Sequence, residues 1–331
     1  MKAPARPPTI DELPPPPPGC VGWPWTEASP PLPQGAPDGT VWPRISIIVP
    51  SFNQGRYIEE TLRSILLQEY PNLELHVIDG GSKDETVSIL KKYEPWLTSW
   101  VSEPDKGQSD AINKGFARID GQVFNWICSD DVLTKGALAH VGAAFTDKEC
   151  DVLSGACFCQ FDEEPERSKV RPPAGPDWES VPYVRGIWQP STWWRPEMVK
   201  RRELVMRDLH YVMDRELWCH LVFTGAQWRW TNESLSVYRF TGENKSVVGR
   251  KNMILEISRV YSTYIKELVP LPMLLLSAWL PLVLASKPPS NVLLRLPAKL
   301  FSKLLAAVAM VLYPAERVRG LQREFYAYSV W

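Results

Sequence analysis

The chain has 331 residues, with 37 Lys and Arg against 38 Asp and Glu for a formal net charge of −1. That length can bury a substantial core in one large domain or two modest ones, and the near-neutral charge gives no basis for a nucleic-acid partner. Six cysteines without a CxxC and four histidines at no ligand spacing leave zinc and a disulfide framework unsupported, and point to reduced, buried thiols in a cytosolic protein.

Residues 1–44 hold fourteen of the 32 prolines, including the run from Pro14 to Pro18. The opening stretch has no apolar h-region, so a secretory signal is not expected. The composition predicts a disordered or polyproline-II arm, either a tether or a PxxP-type ligand. Gly22-Trp23-Pro24-Trp25 is too aromatic for a pure linker and suits packing back onto a folded domain.

Ordered structure is expected from Ile45. ISIIVPS reads as a buried strand and SFNQG as its turn. Residues 58–67 carry apolar side chains at helical spacing (Ile58, Leu62, Ile65, Leu66). A second strand over 73–78 ends in Asp79-Gly80-Gly81-Ser82, and a second helix spans 83–96. A brief strand at 100–102 and a helix at 109–117 follow. Residues 123–128 then form an apolar run ending in Ser129-Asp130-Asp131. Alternating strands and helices predict a doubly wound, mainly parallel sheet. Right-handed crossovers bring the loops at 51–55, 79–82, 103–108 and 129–131 to one edge.

Asp130 and Asp131 admit two readings. Ser and Asp favour helix N-caps, while adjacent carboxylates at the C-terminal edge of a parallel strand can hold a divalent metal where open α/β sheets bind ligands. No GxGxxG follows the first strand and no GxxxxGK[ST] occurs, so a dinucleotide fold and a P-loop are poorly supported.

The stretch IVPSFNQGRYIEETLRSILLQEYPNLELHVIDGGSKDET, then SEPDKGQSDAINKG, then SDD, resembles family 2 glycosyltransferases of the GT-A fold, most of all the bacterial branch that builds O-antigen and other surface polysaccharides. The likeness is strong from Ile45 to Cys150 and thinner to about Ser246. It implies a Rossmann-like sheet with helices on both faces, a nucleotide-sugar-binding half over 45–150 and an acceptor-binding half over 151–262.

It also implies site residues. Asp131 matches the metal-binding last Asp of the DxD-like motif, for Mg2+ or Mn2+. Asp130 falls where the family contacts the donor's ribose or sugar, and Asp79 in the loop that reads the nucleobase. The family often has two acidic residues there, and this chain has Asp79-Gly80. Pro50, Ser51 and Asn53 match the nucleoside loop. Asn113 and Gly115 match the A-x-N-x-G helix, with Ile112 where Arg is common. Tyr211 to Trp218 resembles the D-x-(D/E)-L-W segment, so Asp214 is the expected catalytic base, with Glu216 a support or the alternative base; Asp214 as a plain helix cap is the competing reading. Trp193, in the QPSTWW stretch, matches a loop lining the donor sugar, and six tryptophans between 188 and 230 suggest a carbohydrate platform. Arg239 and Lys245 match the closing loop that meets the diphosphate, where a common His is missing.

Residues 268–286 carry no charge but include Pro270, Pro272 and Pro281, marginal for a spanning helix. Beyond them Arg295, Lys299 and Lys303 form a basic stripe beside Leu296, Leu300 and Leu304. Residues 263–331 are therefore expected to form an apolar and basic helical tail, lying on an anionic bilayer or packed as a bundle helix.

The expectation is an inverting, metal-dependent transferase, cytoplasmic and peripheral to the membrane. It would move one sugar from a nucleotide-diphosphate donor to a saccharide or lipid-linked saccharide acceptor at the inner face of a bacterial membrane. The processive QxxRW motif is absent, which favours single addition. The alternatives are a nucleotidyltransferase, whose Gly-rich basic first loop is missing, and a membrane-anchored carbohydrate- or nucleotide-binding pseudoenzyme, against which Asp130, Asp131 and Asp214 argue.

Overall fold

The computed structural model describes residues 6–173, 186–199 and 202–241, together with positions 253, 256, 257, 259, 260, 263 and 264. The chain divides into two compact units. The first takes residues 1–173, 186–213 and 224–241, and the second takes 174–185, 214–223 and 242–331.

The first unit is built on a nine-stranded sheet. Strand β1 (Ile45–Ser51) is mostly apolar and buried at every position, as suits a strand covered on both faces. It pairs in parallel with β2 (Leu73–Asp79), and β2 with β3 (Ser99–Ser102). On its other side β1 pairs in parallel with β4 (Val123–Trp126). Helices α1 (Ile58–Leu66), α2 (Thr86–Tyr93) and α3 (Gln108–Phe116) make the crossovers. Beyond β4 come β5 (Val132–Leu133), α4 (Ala137–Ala144), β6 (Val152–Phe161), β7 (Lys169–Arg171), β8 (Thr192–Trp194) and β9 (Trp228–Phe240).

The second half of the sheet corrects the mainly parallel expectation. The order is β3-β2-β1-β4-β8-β6-β9-β5, with β7 beside β6. β6 and β9 run parallel, but β4–β8, β6–β8, β6–β7 and β5–β9 are antiparallel, so the sheet is mixed. β6, β8 and β9 continue the sheet that β4 belongs to, and no unit boundary falls at residue 150.

Helix α3 lies close on the sheet because of Gly115. A Cβ there would sit 2.7 Å from Ile48 Cγ2, closer than a methyl group can approach.

The described residues of the Pro-rich arm, 6–44, are packed rather than disordered. Leu13, Ala36 and Trp42 join the main core, and Trp23 Nε1 donates to Leu133 O at 2.8 Å. Buried Arg63 of α1 fans out to three arm carbonyls: Pro14 O at 2.7 Å, Pro24 O at 3.0 Å and Trp25 O at 2.8 Å. Prolines bring no N–H that needs a partner, while their rings and carbonyls remain available. A proline-rich segment can therefore be fixed by one multivalent donor and a few aromatic rings. The aromatic Trp23–Trp25 piece is where this contact centres.

In the second unit the described part is α5 (Met213–Phe223, from Asp214 onward) and the seven single positions. Tyr264 donates its hydroxyl to Glu216 and its ring lies 5.7 Å from Phe223. No helix among the described residues is long and apolar enough to cross a membrane. The helical tail expected over 263–331 lies outside the described residues, apart from Thr263 and Tyr264.

Candidate active site

Register explains why distant residues meet at one sheet edge. Ser51, Asp79 and Ser102, the last residues of β1, β2 and β3, are aligned side by side. Ile48 is aligned with Trp126, so the turn at 129–131 leaves the sheet at the level of Ser51. All four expected polar loops thus leave from that edge.

Asp79 is fully buried and organises its own loop. Its Oδ2 accepts from Gly81 N at 3.1 Å, Ser82 N at 2.9 Å and the Ser102 hydroxyl at 2.6 Å, while Ser82 Oγ donates to Oδ1. Asn53, in the left-handed region at φ 51°, takes the Ser82 hydroxyl oxygen through its N–H at 2.7 Å and accepts from Lys83 N at 2.9 Å. Ser51 Oγ is buried with no hydrogen-bond partner, directly after Pro50. The two loops are therefore tied together, with Asp79 as their anchor.

Gly80 lies against a carboxylate from another loop. A Cβ on it would meet Asp105 Oδ2 at 2.8 Å and Phe52 Cδ2 at 3.2 Å. The Asp105 carboxylate and the exposed Phe52 ring therefore flank Gly80. The sequence reading missed both, although SEPDKG displayed the Asp.

The turn at 129–131 is clamped from beneath. Thr61 Oγ1 of α1 is shared between Ser129 O at 3.0 Å and Asp131 O at 2.7 Å, and Asp131 N donates to Cys128 O at 2.9 Å. Asp131 is 1 % exposed. Its Oδ1 accepts from Arg239 N at 3.2 Å, and its Oδ2 is buried without a partner. Burial, then the neighbouring Asp130 charge, pushes the Asp131 carboxyl well above the usual range. Burial also raises half-buried Asp130, against the pull of Arg239. No strand or helix starts at 131 with these side chains as caps: Asp131 leads into β5 instead, and α4 begins at Ala137. A buried, unpaired carboxylate oxygen beside a second carboxylate is costly unless a cation meets it. Cys128 Sγ and one oxygen each of Asp130 and Asp131 lie within 4.8 Å of one another. The donor set fits a divalent ion.

Arg239, on β9, is 6 % exposed; its Nη2 donates to Glu60 Oε2 at 2.9 Å and its guanidinium lies 5.1 Å over Tyr57. It stands beside the acidic turn, and Glu60 and Tyr57 are two further neighbours that the sequence reading did not single out. Lys245 lies outside the described residues.

Two expected donor contacts are occupied elsewhere. Asn113 donates to Val205 O at 2.8 Å and accepts from Val205 N at 3.2 Å, so both ends of its amide hold the 205 backbone. Trp193 is fully buried in the core beside Leu153, and Trp194 packs edge-on against Phe124 and Trp126. Trp228 stacks on Trp230 at 5.4 Å, and Trp228 is buried too. The QPSTWW tryptophans are core side chains, because β8 seats them between β4 and β6.

In the second unit, Asp214 is half-buried at the start of α5, and burial raises its carboxyl above the usual range. Glu216 is 4 % exposed and accepts from the Tyr264 hydroxyl.

Comparison with known proteins agrees with this architecture. Residues 46–213 match the glycosyl transferase family 2 model, about half of the chain. An uncharacterised glycosyltransferase of Rickettsia prowazekii is 35% identical over 98 residues, 30% of each protein, so the chain spans under a third of that relative's length. A Bacillus subtilis glycosyltransferase named for teichuronic acid biosynthesis, TuaG, is 27% identical over 220 residues, 64% of this chain and 84% of that one. Among solved structures, Staphylococcus aureus TarS with UDP-GlcNAc superposes at TM-score 0.53 and 18% identity, over 67% of this chain and 66% of that one. The Pyrobaculum calidifontis mannosyltransferase PcManGT, solved with GDP-Man and Mn2+, gives 0.57 and 20% over 88% and 87%. These two likenesses show a shared fold. With half of its length matching the family model on the elements that carry the clustered loops, this chain belongs to glycosyl transferase family 2.

Proposed function

We propose that the protein transfers a single sugar, with inversion, from a nucleotide-diphosphate sugar to an acceptor hydroxyl, in the assembly of a bacterial cell-surface polysaccharide or glycolipid. The observation that carries this reading is the buried Asp131 Oδ2, unpaired beside Asp130 at the C-terminal edge of a family 2 sheet. Relatives named as glycosyltransferases, TuaG among them, support the reaction class, and neighbours solved with UDP-GlcNAc or with GDP-Man and Mn2+ support a nucleotide-sugar donor and a divalent metal.

In this reading Asp131 offers Oδ2 to Mg2+ or Mn2+, with its Oδ1 fixed by Arg239 N. The ion, when bound, neutralises charge on the departing diphosphate. Asp130 faces the donor's ribose or sugar. Pro50, Ser51 and Asn53 line the nucleoside loop, and Asp79 acts by holding that loop in shape. Asp105 supplies the carboxylate at Gly80. Arg239 and Lys245 meet the diphosphate. Asp214 takes the proton from the acceptor hydroxyl; its raised pKa suits a base, whereas Glu216 is occupied by Tyr264. The acceptor is a saccharide or lipid-linked saccharide, and the basic residues beyond Lys287 hold the protein at the inner face of an anionic membrane.

A panel of UDP-, GDP- and dTDP-sugars with Mg2+ or Mn2+ tests the reading. Donor turnover should be metal-dependent and confined to one base. No turnover of any donor, or turnover undiminished in EDTA, overturns it. Flotation of the full-length protein with anionic liposomes tests the membrane assignment, and a protein that never floats removes it.

A further inference from the structure

We infer that Cys128 is a sulfur ligand of this site, so that the site takes a thiophilic divalent cation, of the Co2+, Zn2+ or Cd2+ class, in preference to Mg2+. The inference rests on the proposed metal site and names a donor that the DxD-type pair does not include. Cys128 Sγ, one Asp130 oxygen and one Asp131 oxygen lie within 4.8 Å of one another. Donor atoms sharing one ion through bonds of about 2.0–2.5 Å fall within roughly 5 Å of each other, and the three meet that spacing.

Two further observations point the same way. Asp131, a member of this cluster, has its Oδ2 buried without a partner, so a residue of the cluster carries an acceptor that nothing in the chain satisfies. Gln108 Nε2 lies 3.2 Å from Cys128 Sγ and donates to it. A donor aimed at sulfur from the start of α3 orients the thiol, as outer hydrogen bonds do for metal ligands generally. The thiol is half-buried, unlike Cys150, Cys157, Cys159 and Cys219, which are enclosed by the core. On binding, its proton leaves to solvent and the sulfur bonds the ion as thiolate. Mg2+ prefers oxygen ligands and keeps its waters, whereas thiolate favours softer ions.

The test uses the full-length protein titrated with Co2+, Cd2+ and Mg2+ alone. Wild type should show a sulfur-to-cobalt charge-transfer band in the near ultraviolet. That band should vanish in Cys128→Ser and Cys128→Ala, and persist in Cys157→Ser/Cys159→Ser. Cys128→Ser should weaken Cd2+ binding on the order of tenfold and Mg2+ binding by less than about threefold. Co2+ binding without the band, or a band that survives Cys128→Ser, overturns the inference; circular dichroism of each variant shows that it is folded. Metal-dependent donor turnover without the sulfur band sinks the Cys128 assignment alone. A sulfur band with no turnover of any donor supports it and sinks the transferase reading instead.

Discussion

The backbone N–H of Arg239 donates to Asp131 Oδ1 at 3.2 Å, so a strand more than a hundred residues away holds the carboxylate in place. The other oxygen stays unpaired in a buried position. One oxygen is thus held in orientation, and in the proposed reading the second is the one offered to the ion. The bonded Arg239 side chain, on Glu60, keeps positive charge beside the turn.

Asp131→Asn separates these two jobs. The amide oxygen can still accept from Arg239, so the fold should persist, and removing an uncompensated buried charge should leave the variant at least as stable in chelator. Transfer should fall on the order of 10²-fold or more, and thermal stabilisation by Mn2+ should disappear. Activity within about threefold of wild type would exclude Asp131 as a ligand.

Asp214→Asn should lower kcat on the order of 10²-fold and leave metal-dependent donor affinity nearly unchanged. As the proposed base Asp214 acts as the carboxylate, and burial raises its pKa, so kcat/KM should climb with pH through a value above 3.8 and the acid limb should be lost in the variant. Glu216→Gln should mainly lower stability, since Glu216 is bound by Tyr264. A kcat loss in Glu216→Gln larger than in Asp214→Asn reverses the assignment.

Arg63→Ala should free the arm. Arg63 alone bridges Pro14, Pro24 and Trp25, and its removal strands three carbonyls and a cation–π contact with Trp25. A stability loss of about 3 kcal/mol or more is expected, together with new protease cleavage within residues 6–44. Arg63→Lys should rescue little, because an ammonium lacks the planar fork that reaches three acceptors. Unchanged proteolysis would show that the aromatic contacts suffice.

Glu74 gives the fold an acid limit. Burial opposes its charge, but the His76 imidazole 3.7 Å away and hydrogen bonds from the Ser46 hydroxyl and Asp120 N outweigh that and lower its pKa to about 2. A carboxyl depressed on folding contributes stability that is present above 4.5 and is lost as pH falls toward 2. Denaturant melts between those values should steepen less with pH in Glu74→Gln than in wild type. Parallel curves would remove Glu74 from the acid transition.

Much of the first unit was legible because its signals are local. β1 and β4 are short, mostly apolar runs of the kind that suits a strand buried on both faces, and α1 shows its inward stripe at Ile58, Leu62 and Ile65. SFNQG, Asp79-Gly80 and Ser129-Asp130-Asp131 stand at strand ends, so parallel topology alone brings them to one edge. What tertiary structure decided depends on partners far along the chain. Nothing local says that β6 and β9 run parallel while β8 runs against β4 and β6, since strand direction is set by which edges meet. Trp193 has the composition of a sugar platform and the position of a core residue, and only its pairing with Leu153 distinguishes them. The prolines of the arm carry no inherent order; a buried guanidinium 38 residues beyond Trp25 gives them one. Asn113 and Cys128 look like an exposed amide and a stray thiol until Val205 and Asp131 arrive beside them. Residue type limits what a side chain can bond, and the long-range contacts choose which of those bonds it makes.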